Sequence, residues 1–281
     1  MTYRELMKRG ACLLKNAGVV ESDTDAALLL EYVCKTDRNY LLAHGEETVG
    51  PEAEKRFIGF IDKRCRRIPL QQLTGEQCFM GLDFKVNEHV LIPRQDTEIL
   101  VEEILRELHD GMRILDMCTG SGCILISLLR YSNYCVGVGV DISEEALKTA
   151  AGNAERLLSV PVTFIKSNLF ENVTGEYEVI VSNPPYIKRA DIQTLMPEVR
   201  EHEPLLALDG GEDGLSFYRR LVEDGRRFLC DGGRMYFEIG MEQADEVTAL
   251  MEAAGFVEIN VVKDYAGLDR VVYGRKPTEV R

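Results

Sequence analysis

The sequence lacks the patterns that most metal and disulfide sites require. Its eight cysteines never form a Cys-x-x-Cys pair, and its four histidines are separated along 281 residues. In a chain of this size, scattered cysteines are typical of reduced thiols rather than of a disulfide framework or a zinc site. We therefore expect free cysteines and no metal.

Long apolar segments are also absent. No apolar run approaches the roughly 20 residues that a membrane-spanning helix needs, and the N-terminus has no signal-peptide core. The sequence contains no internal repeat and no low-complexity segment. These absences predict a globular, cytoplasmic protein with no membrane partner.

Basic residues are also fewer than acidic ones. The chain has 33 Lys and Arg against 47 Asp and Glu, a net charge of −14, and the acidic excess lies entirely after residue 75. Such a surface repels duplex nucleic acid, so we expect no direct nucleic-acid partner. We interpret the basic run Lys63, Arg64, Arg66 and Arg67 as a solvated helix end.

Residues 1–75 are predicted to form a small helical domain. Thr2 and Glu5 have the spacing of a capping box, and apolar residues follow at helical intervals. Gly18 is expected to end this helix, and Ser22 to open a second one. A third helix is expected after Gly50-Pro51.

Residues 76–93 are predicted to be a β-hairpin that links two domains. Leu82, Phe84 and Val86 alternate with polar residues, and the alternation resumes after Asn87-Glu88. This dipeptide is therefore the expected turn.

Residues 94–281 have the pattern of an α/β domain. Strand-like runs alternate with helical ones, which predicts a parallel sheet with helices on both faces. The expected strands are 112–116, 134–141, 162–165, 178–182 and 234–239, with 256–262 and 270–273 as an antiparallel end. The expected helices begin near Gly122, Ser143, Asp191, Phe217 and Glu242.

A glycine-containing loop follows the first expected strand of the sheet. After Asp116 the sequence continues as Cys118-Thr119-Gly120-Ser121-Gly122, and a helix begins. Glycines at such a turn let the backbone approach a ligand, and the helix N-terminus offers free N–H donors. Asp141 ends the next strand about 20 residues further on, where a carboxylate can accept both hydroxyls of a ribose.

The form of this loop favours one cofactor over another. A dinucleotide site uses G-x-G-x-x-G to hold a pyrophosphate, and the third glycine is missing here. An adenosine with a short amino-acid tail suits the loop better. The predicted cofactor is S-adenosylmethionine, with S-adenosylhomocysteine as product.

The motif Asn183-Pro184-Pro185-Tyr186 follows the fourth expected strand. Two prolines fix the backbone and remove two N–H donors, so the carbonyl groups of the loop are free to accept hydrogen bonds. Asn183 adds a side-chain oxygen and Tyr186 a flat ring. The loop is therefore predicted to cradle a planar NH2 group.

Taken together, these motifs resemble the HemK/PrmC family of protein-(glutamine-N5) methyltransferases, which act on peptide chain release factors. The resemblance spans nearly the whole chain. The segments that carry it, besides the two loops above, are 69–75, 79–82, 92–98, Glu203-Pro204, Ala207-Leu208, 210–215, Glu238-Ile239-Gly240, Lys263-Asp264 and Arg270-Val271.

The resemblance implies a Rossmann-like methyltransferase sheet with an N-terminal helical domain. Because residues 1–75 are nearly neutral while the rest of the chain is acidic, we expect this domain to dock the protein substrate. It implies that residues Asn183, Pro184, Pro185 and Tyr186 bind the glutamine of a Gly-Gly-Gln motif, with Asn183, Pro184 and Tyr186 catalytic. It places the Cys118–Gly122 loop beside the methionine part of the cofactor, Asp141 at the ribose, Asn168 and Leu169 at the adenine, and Asn183 near the methyl group. Two positions depart from the family pattern: Cys118 replaces a glycine, and Asn168 replaces an acidic residue.

Other functions share these motifs. A ribosomal-protein glutamine methyltransferase has the same chemistry, and an adenine-N6 nucleic-acid methyltransferase presents an equivalent planar NH2 group. The second requires a basic groove for the phosphate backbone, which the acidic domain disfavours. A translation-factor adaptor with an inactive fold is disfavoured by the intact Asn183–Tyr186 loop.

Overall fold

The structure is a computed structural model that describes residues 1–278. The chain forms two compact units. Unit 1 consists of residues 1–76 together with 196–202, and unit 2 consists of 77–195 together with the residues from 203 onward. The predicted hairpin segment therefore belongs almost wholly to unit 2, and a short piece of the predicted methyltransferase domain belongs to unit 1. Residues 279–281, the end of the predicted domain, lie outside the described residues.

The helices and strands account for most of residues 1–278. The α-helices are α1 (Tyr3–Asn16), α2 (Ser22–Cys34), α3 (Arg38–Ala43), α4 (Pro51–Cys65), α5 (Leu70–Thr74), α6 (Glu98–Glu107), α7 (Cys123–Arg130), α8 (Glu144–Leu157), α9 (Pro197–His202), α10 (Ser216–Gly225) and α11 (Ala244–Ala253). The strands are β1 (Glu76–Phe79), β2 (Leu82–Lys85), β3 (Arg113–Met117), β4 (Val136–Asp141), β5 (Thr163–Lys166), β6 (Tyr177–Ser182), β7 (Leu229–Glu238), β8 (Val257–Lys263) and β9 (Asp269–Arg275). Short 3-10 helices are Gln95–Thr97, Leu169–Asn172, Asp191–Thr194, Leu205–Ala207 and Arg226–Phe228.

Unit 1 is a helical bundle. The Thr2 and Glu5 capping box is confirmed, since each side chain accepts a hydrogen bond from the other residue's backbone N–H. A side chain in place of Gly10 on α1 would meet the Phe57 ring at 2.7 Å, so this glycine allows α1 and α4 to pack closely. Every helix among residues 1–278 is too short or too polar to cross a membrane.

A cluster of buried ion pairs joins α9 to this bundle. Arg64 is only 6% exposed, and its guanidinium contacts Asp25 at 2.7 Å and Glu198 at 2.8 Å. Arg67 also binds Glu198. Although burial favours the neutral acid, hydrogen bonds from Arg67 and Arg64 lower the pKa of Glu198. The interpretation of this basic run as a solvated helix end is therefore wrong for Arg64 and Arg67, because acids from distant segments fold onto them.

The hairpin of unit 2 turns at a different place from the one predicted. β1 and β2 form a two-stranded sheet, and Met80 and Gly81, both with positive φ, connect them. Two residues of this conformation match the twist of a tight hairpin. A turn does form at Asn87-Glu88, where the Val90 N–H donates to the Asn87 carbonyl at 3.4 Å. It follows the hairpin, however, so the prediction that this dipeptide closes the hairpin is wrong.

Unit 2 contains a seven-stranded sheet in the order β5-β4-β3-β6-β7-β9-β8. The first five strands in this order are parallel, and β9 is antiparallel to both of its neighbours. The α/β class, the parallel sheet and the antiparallel end are confirmed. The helix predicted near Asp191 is wrong: a single 3-10 turn forms there, and α9 begins only at Pro197, a residue that fits the first turn of a helix.

The core of unit 2 lies on both faces of this sheet. One cluster packs Leu115 and Ile180 against α10 and α11, and the other packs Ile114 and Val181 against α6 and α7. Because parallel strands point the same way, β3, β4, β6 and β7 all present their last residues at one edge. That edge carries the candidate site.

Candidate active site

The loop between β3 and α7 is tightly folded. Cys118, Gly120 and Gly122 all have positive φ, and the Gly122 N–H donates to the Thr119 carbonyl at 2.8 Å. A side chain at Gly122 would also meet Ile126 at 2.9 Å. A glycine is therefore needed there both for the positive φ and for the close approach of Ile126. Cys118 adopts the left-handed conformation without being a glycine, which costs some backbone strain.

Asp141 joins this loop to the end of β4. Its Oδ2 accepts the Gly120 N–H at 2.9 Å, and its Oδ1 accepts the Ser143 N–H at 2.9 Å. Burial raises the pKa of Asp141, while these backbone donors hold it down. Each oxygen keeps a lone pair, and the side chain lines a cavity shared with residues 117–121. The carboxylate can therefore accept two further hydrogen bonds from a ligand.

Asn168 and Leu169 border the same cavity. Asn168 Oδ1 accepts from the Arg220 guanidinium at 3.1 Å, and its Nδ2 donates to Glu171 at 2.7 Å. The Asn168 amide oxygen, the acceptor that this residue could offer to an adenine, therefore already has one donor and keeps one free lone pair. Arg220, together with Phe217 one turn earlier on α10, also lines the cavity; sequence reasoning did not identify either residue.

The Asn183–Tyr186 loop begins directly after β6. Asn183 and Pro185 line the cavity that Asp141 also lines. The Asn183 Nδ2 donates to the hydroxyl of buried Thr97 at 3.4 Å, which leaves Oδ1 to accept from a ligand. Pro184 and Pro185 are both buried. The structure thus brings the predicted amide acceptor and the predicted ribose acceptor to one cavity.

Tyr186 lies on the other side of this loop. Its hydroxyl is 3.4 Å from Glu238 Oε1, and its carbonyl accepts from Gln243 Nε2 at 3.0 Å. It lines a second, separate cavity with Met241 and Glu242. A role of Tyr186 in contacting the glutamine remains a prediction.

Two glycines hold the Asn183–Tyr186 loop in place. A side chain at Gly210 would lie 2.7 Å from the Tyr186 Cα atom, and one at Gly214 would lie 2.5 Å from the Tyr186 carbonyl oxygen. Contacts this short with backbone atoms are not tolerated. The glycines of segment 210–215 are therefore needed for close approach to the loop.

Two buried carboxyl groups accompany the site. Asp116 lies near the end of β3, and its carboxylate accepts a hydrogen bond from the Thr119 hydroxyl at 2.5 Å. Glu238 is the last residue of β7 and is 1% exposed. Burial raises the pKa of each to about 7, so both titrate near neutral pH. Among residues 1–278, no three His, Cys, Asp or Glu side chains are grouped so that they could hold a metal ion.

The Asp141 carboxylate gives a direct test of its own role. We expect Asp141→Ala to weaken S-adenosylmethionine binding by about 1.5–3 kcal/mol, the range for hydrogen bonds to a charged group. Calorimetric titration of the folded variant measures this, with Asp110→Ala, an exposed carboxylate outside the cavity, as control. An unchanged dissociation constant in Asp141→Ala would contradict the assignment.

Comparison with known proteins identifies related families and structures. Residues 5–75 match the PrmC N-terminal domain, and residues 94–201 match the methyltransferase small domain. The release factor glutamine methyltransferase of Clostridium acetobutylicum is 41% identical over 278 residues, which cover 97% of this chain and 98% of that protein. The protein of the same name from Geobacter sulfurreducens is 40% identical and covers 98% and 96%. A crystal structure of a methyltransferase from Pyrococcus furiosus superposes with a TM-score of 0.57 at 20% identity, over 77% of this chain and 98% of that one.

The seven-stranded sheet, the methyltransferase domain match and the curated relatives together define a Rossmann-like, S-adenosylmethionine-dependent methyltransferase. The similarity to curated relatives extends over nearly the full length of both chains. The chain belongs to the release factor glutamine methyltransferase family.

Proposed function

We propose that this chain methylates the side-chain amide nitrogen of the glutamine in the Gly-Gly-Gln motif of a peptide chain release factor. The observation that carries the proposal is the Asn183 amide, held through Nδ2 by Thr97 on the wall of the cavity that Asp141 also lines. The names of the full-length relatives support the choice of substrate. Since release factors act on ribosomes, the proposed reaction is cytoplasmic.

The residues of the cavity fit S-adenosylmethionine. The Asp141 oxygens can take the ribose hydroxyls, Leu169 and Asn168 can border the adenine, and the Cys118–Gly122 loop can hold the amino-acid part. When bound, the cofactor supplies an electrophilic methyl group. No metal is proposed, because the transfer is a direct displacement.

The remaining task of the protein is to orient a poor nucleophile. The lone pair of a glutamine amide nitrogen is delocalised into the carbonyl group. Asn183 Oδ1 and the Pro184 carbonyl each accept one N–H of this amide, which fixes the nitrogen and draws electron density toward it. Tyr186 packs behind the loop against Glu238. We assign no general base.

We also propose that unit 1 docks the protein substrate outside its reactive loop. Residues 1–75 are nearly neutral, whereas the rest of the chain is strongly acidic, so the two parts offer different surfaces to a partner. If unit 1 contributes, intact release factor should be methylated with a lower KM than a short peptide that carries the same motif. Equal KM values would contradict docking and leave the proposed chemistry intact.

The proposed activity can be tested by mass spectrometry. Purified release factor, ribosomal proteins and DNA are each incubated with enzyme and S-adenosylmethionine, and we expect the mass of one methyl group only on the Gly-Gly-Gln peptide of the factor. Methylation of a ribosomal-protein glutamine or of adenine instead would support one of the two alternatives and overturn the proposal.

A further inference from the structure

The amide of Asn168 is held at both ends by charged side chains. Its Oδ1 accepts a hydrogen bond from Arg220 Nη2 at 3.1 Å, and its Nδ2 donates to Glu171 Oε1 at 2.7 Å. A guanidinium can only donate and an ionised carboxylate can only accept. The two contacts therefore determine which end of the amide is the oxygen and which is the nitrogen.

Turning this amide over would be unfavourable at both ends. The NH2 group of Asn168 would then face the donors of Arg220, and the amide oxygen would face the Glu171 carboxylate. Two hydrogen bonds to charged partners would be lost, and each would be replaced by a contact between like groups. Arg220 and Glu171 therefore fix the orientation of Asn168, although both of their side chains are exposed.

The two charged partners lie on different sides of Asn168. Arg220, on α10, lines the cavity, whereas Glu171, on the 3-10 helix Leu169–Asn172, does not. The oxygen of the amide is therefore the end that lies at the cavity. An amide oxygen has two lone pairs and Arg220 uses one of them, so the other can accept a hydrogen bond from a ligand.

We propose that Arg220 and Glu171 are positioning residues, which make Asn168 an acceptor for the 6-amino group of an adenine and so let the site reject a 6-oxopurine. This inference rests on the proposed function, in which Asn168 borders the adenine of the cofactor. An ionised carboxylate offers an acceptor whichever way it turns, whereas an amide offers one at a single end. The two charged residues thus supply an orientation that an acid at position 168 would not need.

The 6-position of the purine distinguishes the two ends of the amide. Adenine carries an NH2 donor there, and hypoxanthine carries a carbonyl acceptor. An oxygen at the cavity pairs with the first and repels the second, and an NH2 group does the reverse. Hypoxanthine also bears a proton on N1, but this difference is common to all variants at positions 168, 171 and 220. It therefore cancels when the variants are compared.

The test measures the binding of S-adenosylhomocysteine and of its 6-oxo analogue, S-inosylhomocysteine, by calorimetric titration. The key variant exchanges the two charges, Arg220→Glu with Glu171→Arg, which keeps the net charge and should invert the Asn168 amide. We expect the preference for the adenosyl ligand, as a ratio of dissociation constants, to fall about tenfold or more, the equivalent of one hydrogen bond. The matched control exchanges an exposed ion pair of unit 1, Arg66→Asp with Asp62→Arg, and should leave the ratio unchanged.

The same charge exchange in an Asn168→Asp protein separates positioning from direct contact. A carboxylate has no donor end to present, so here the exchange should alter the ratio by less than about twofold. An equal fall in the Asn168 and Asp-substituted proteins would mean that Arg220 contacts the purine itself. An unchanged ratio in the Asn168 protein would mean that the charged pair does not orient the amide. Either result would overturn the proposal, whereas a wild-type protein that binds neither ligand would refute the proposed function.

Discussion

Replacing Asn183 with Ala is expected to lower the single-turnover rate on a release factor by about 10²–10³-fold. The change removes the Oδ1 acceptor at the cavity wall and leaves one substrate N–H unpaired. Loss of one preorganised polar partner at a reacting group typically costs about 2.7–4 kcal/mol in the transition state. Rapid-quench measurement at saturating cofactor and substrate gives the rate directly.

Cofactor affinity should change much less in Asn183→Ala. In the binding mode proposed above, the cofactor contacts the Asp141 carboxylate and the loop after β3, and neither depends on the Asn183 amide. Calorimetry therefore separates a loss of chemistry from a loss of binding. If Asn183→Ala retains most of the wild-type rate, Asn183 does not bind the substrate amide as proposed. The proposed roles of Pro184 and Tyr186 in the same loop would then be refuted as well.

Asn183→Asp is the sharper version of this test. The carboxylate keeps an acceptor oxygen, but it cannot donate to the Thr97 hydroxyl as Nδ2 does. Its charge would also attract the sulfonium of the cofactor in the ground state and lose that attraction as the methyl group leaves. We expect strong cofactor binding together with slow turnover.

The regular part of the fold could be predicted because its signal is local. Alternating strand and helix patterns predicted all seven strands of the large sheet, with ends within two residues of those observed, except that β7 begins five residues earlier than expected. The same holds for the loop after β3 and for Asp141, since the strand-loop-helix context fixes where they lie. The hydrogen bond from Gly120 to Asp141 joins the two residues that the sequence pattern had paired.

Other features could not be predicted because they depend on distant segments. The turn of the hairpin lies at Met80-Gly81 and requires a positive φ at Met80, which the sequence does not signal because methionine rarely adopts it. The alternation of apolar residues placed this turn at Asn87-Glu88 instead. Thr97 belongs to a segment that carried the family resemblance, but nothing in its spacing indicated that its hydroxyl accepts a hydrogen bond from the Asn183 amide. The occupation of the Asn168 oxygen by Arg220 is likewise a tertiary contact between α10 and a loop.

Buried charge in unit 1 is the clearest case of this kind, and it leads to the second large expected effect. Arg64→Ala should destabilise unit 1 by about 3–5 kcal/mol, because it leaves the buried Asp25 carboxylate without its cation. Glu198 keeps Arg67 as a partner, so the loss is concentrated at Asp25. Arg64→Lys keeps the charge but loses the planar guanidinium that reaches two carboxylates. Its stability should therefore lie between those of the wild type and Arg64→Ala.

Arg66 provides a matched control two residues away on the same basic run. Its side chain is 72% exposed and pairs with the exposed Asp62, so Arg66→Ala should cost less than about 1 kcal/mol of stability. Since a chain of two units need not unfold in one step, amide hydrogen exchange in α2 and α4 is the appropriate measurement. Exchange in α9 should accelerate as well in Arg64→Ala, because Glu198 on that helix loses one of its two arginines. Equal protection in Arg64→Ala and Arg66→Ala would mean that the buried ion pairs contribute no more than an exposed one, and that apolar packing alone holds residues 196–202 in unit 1.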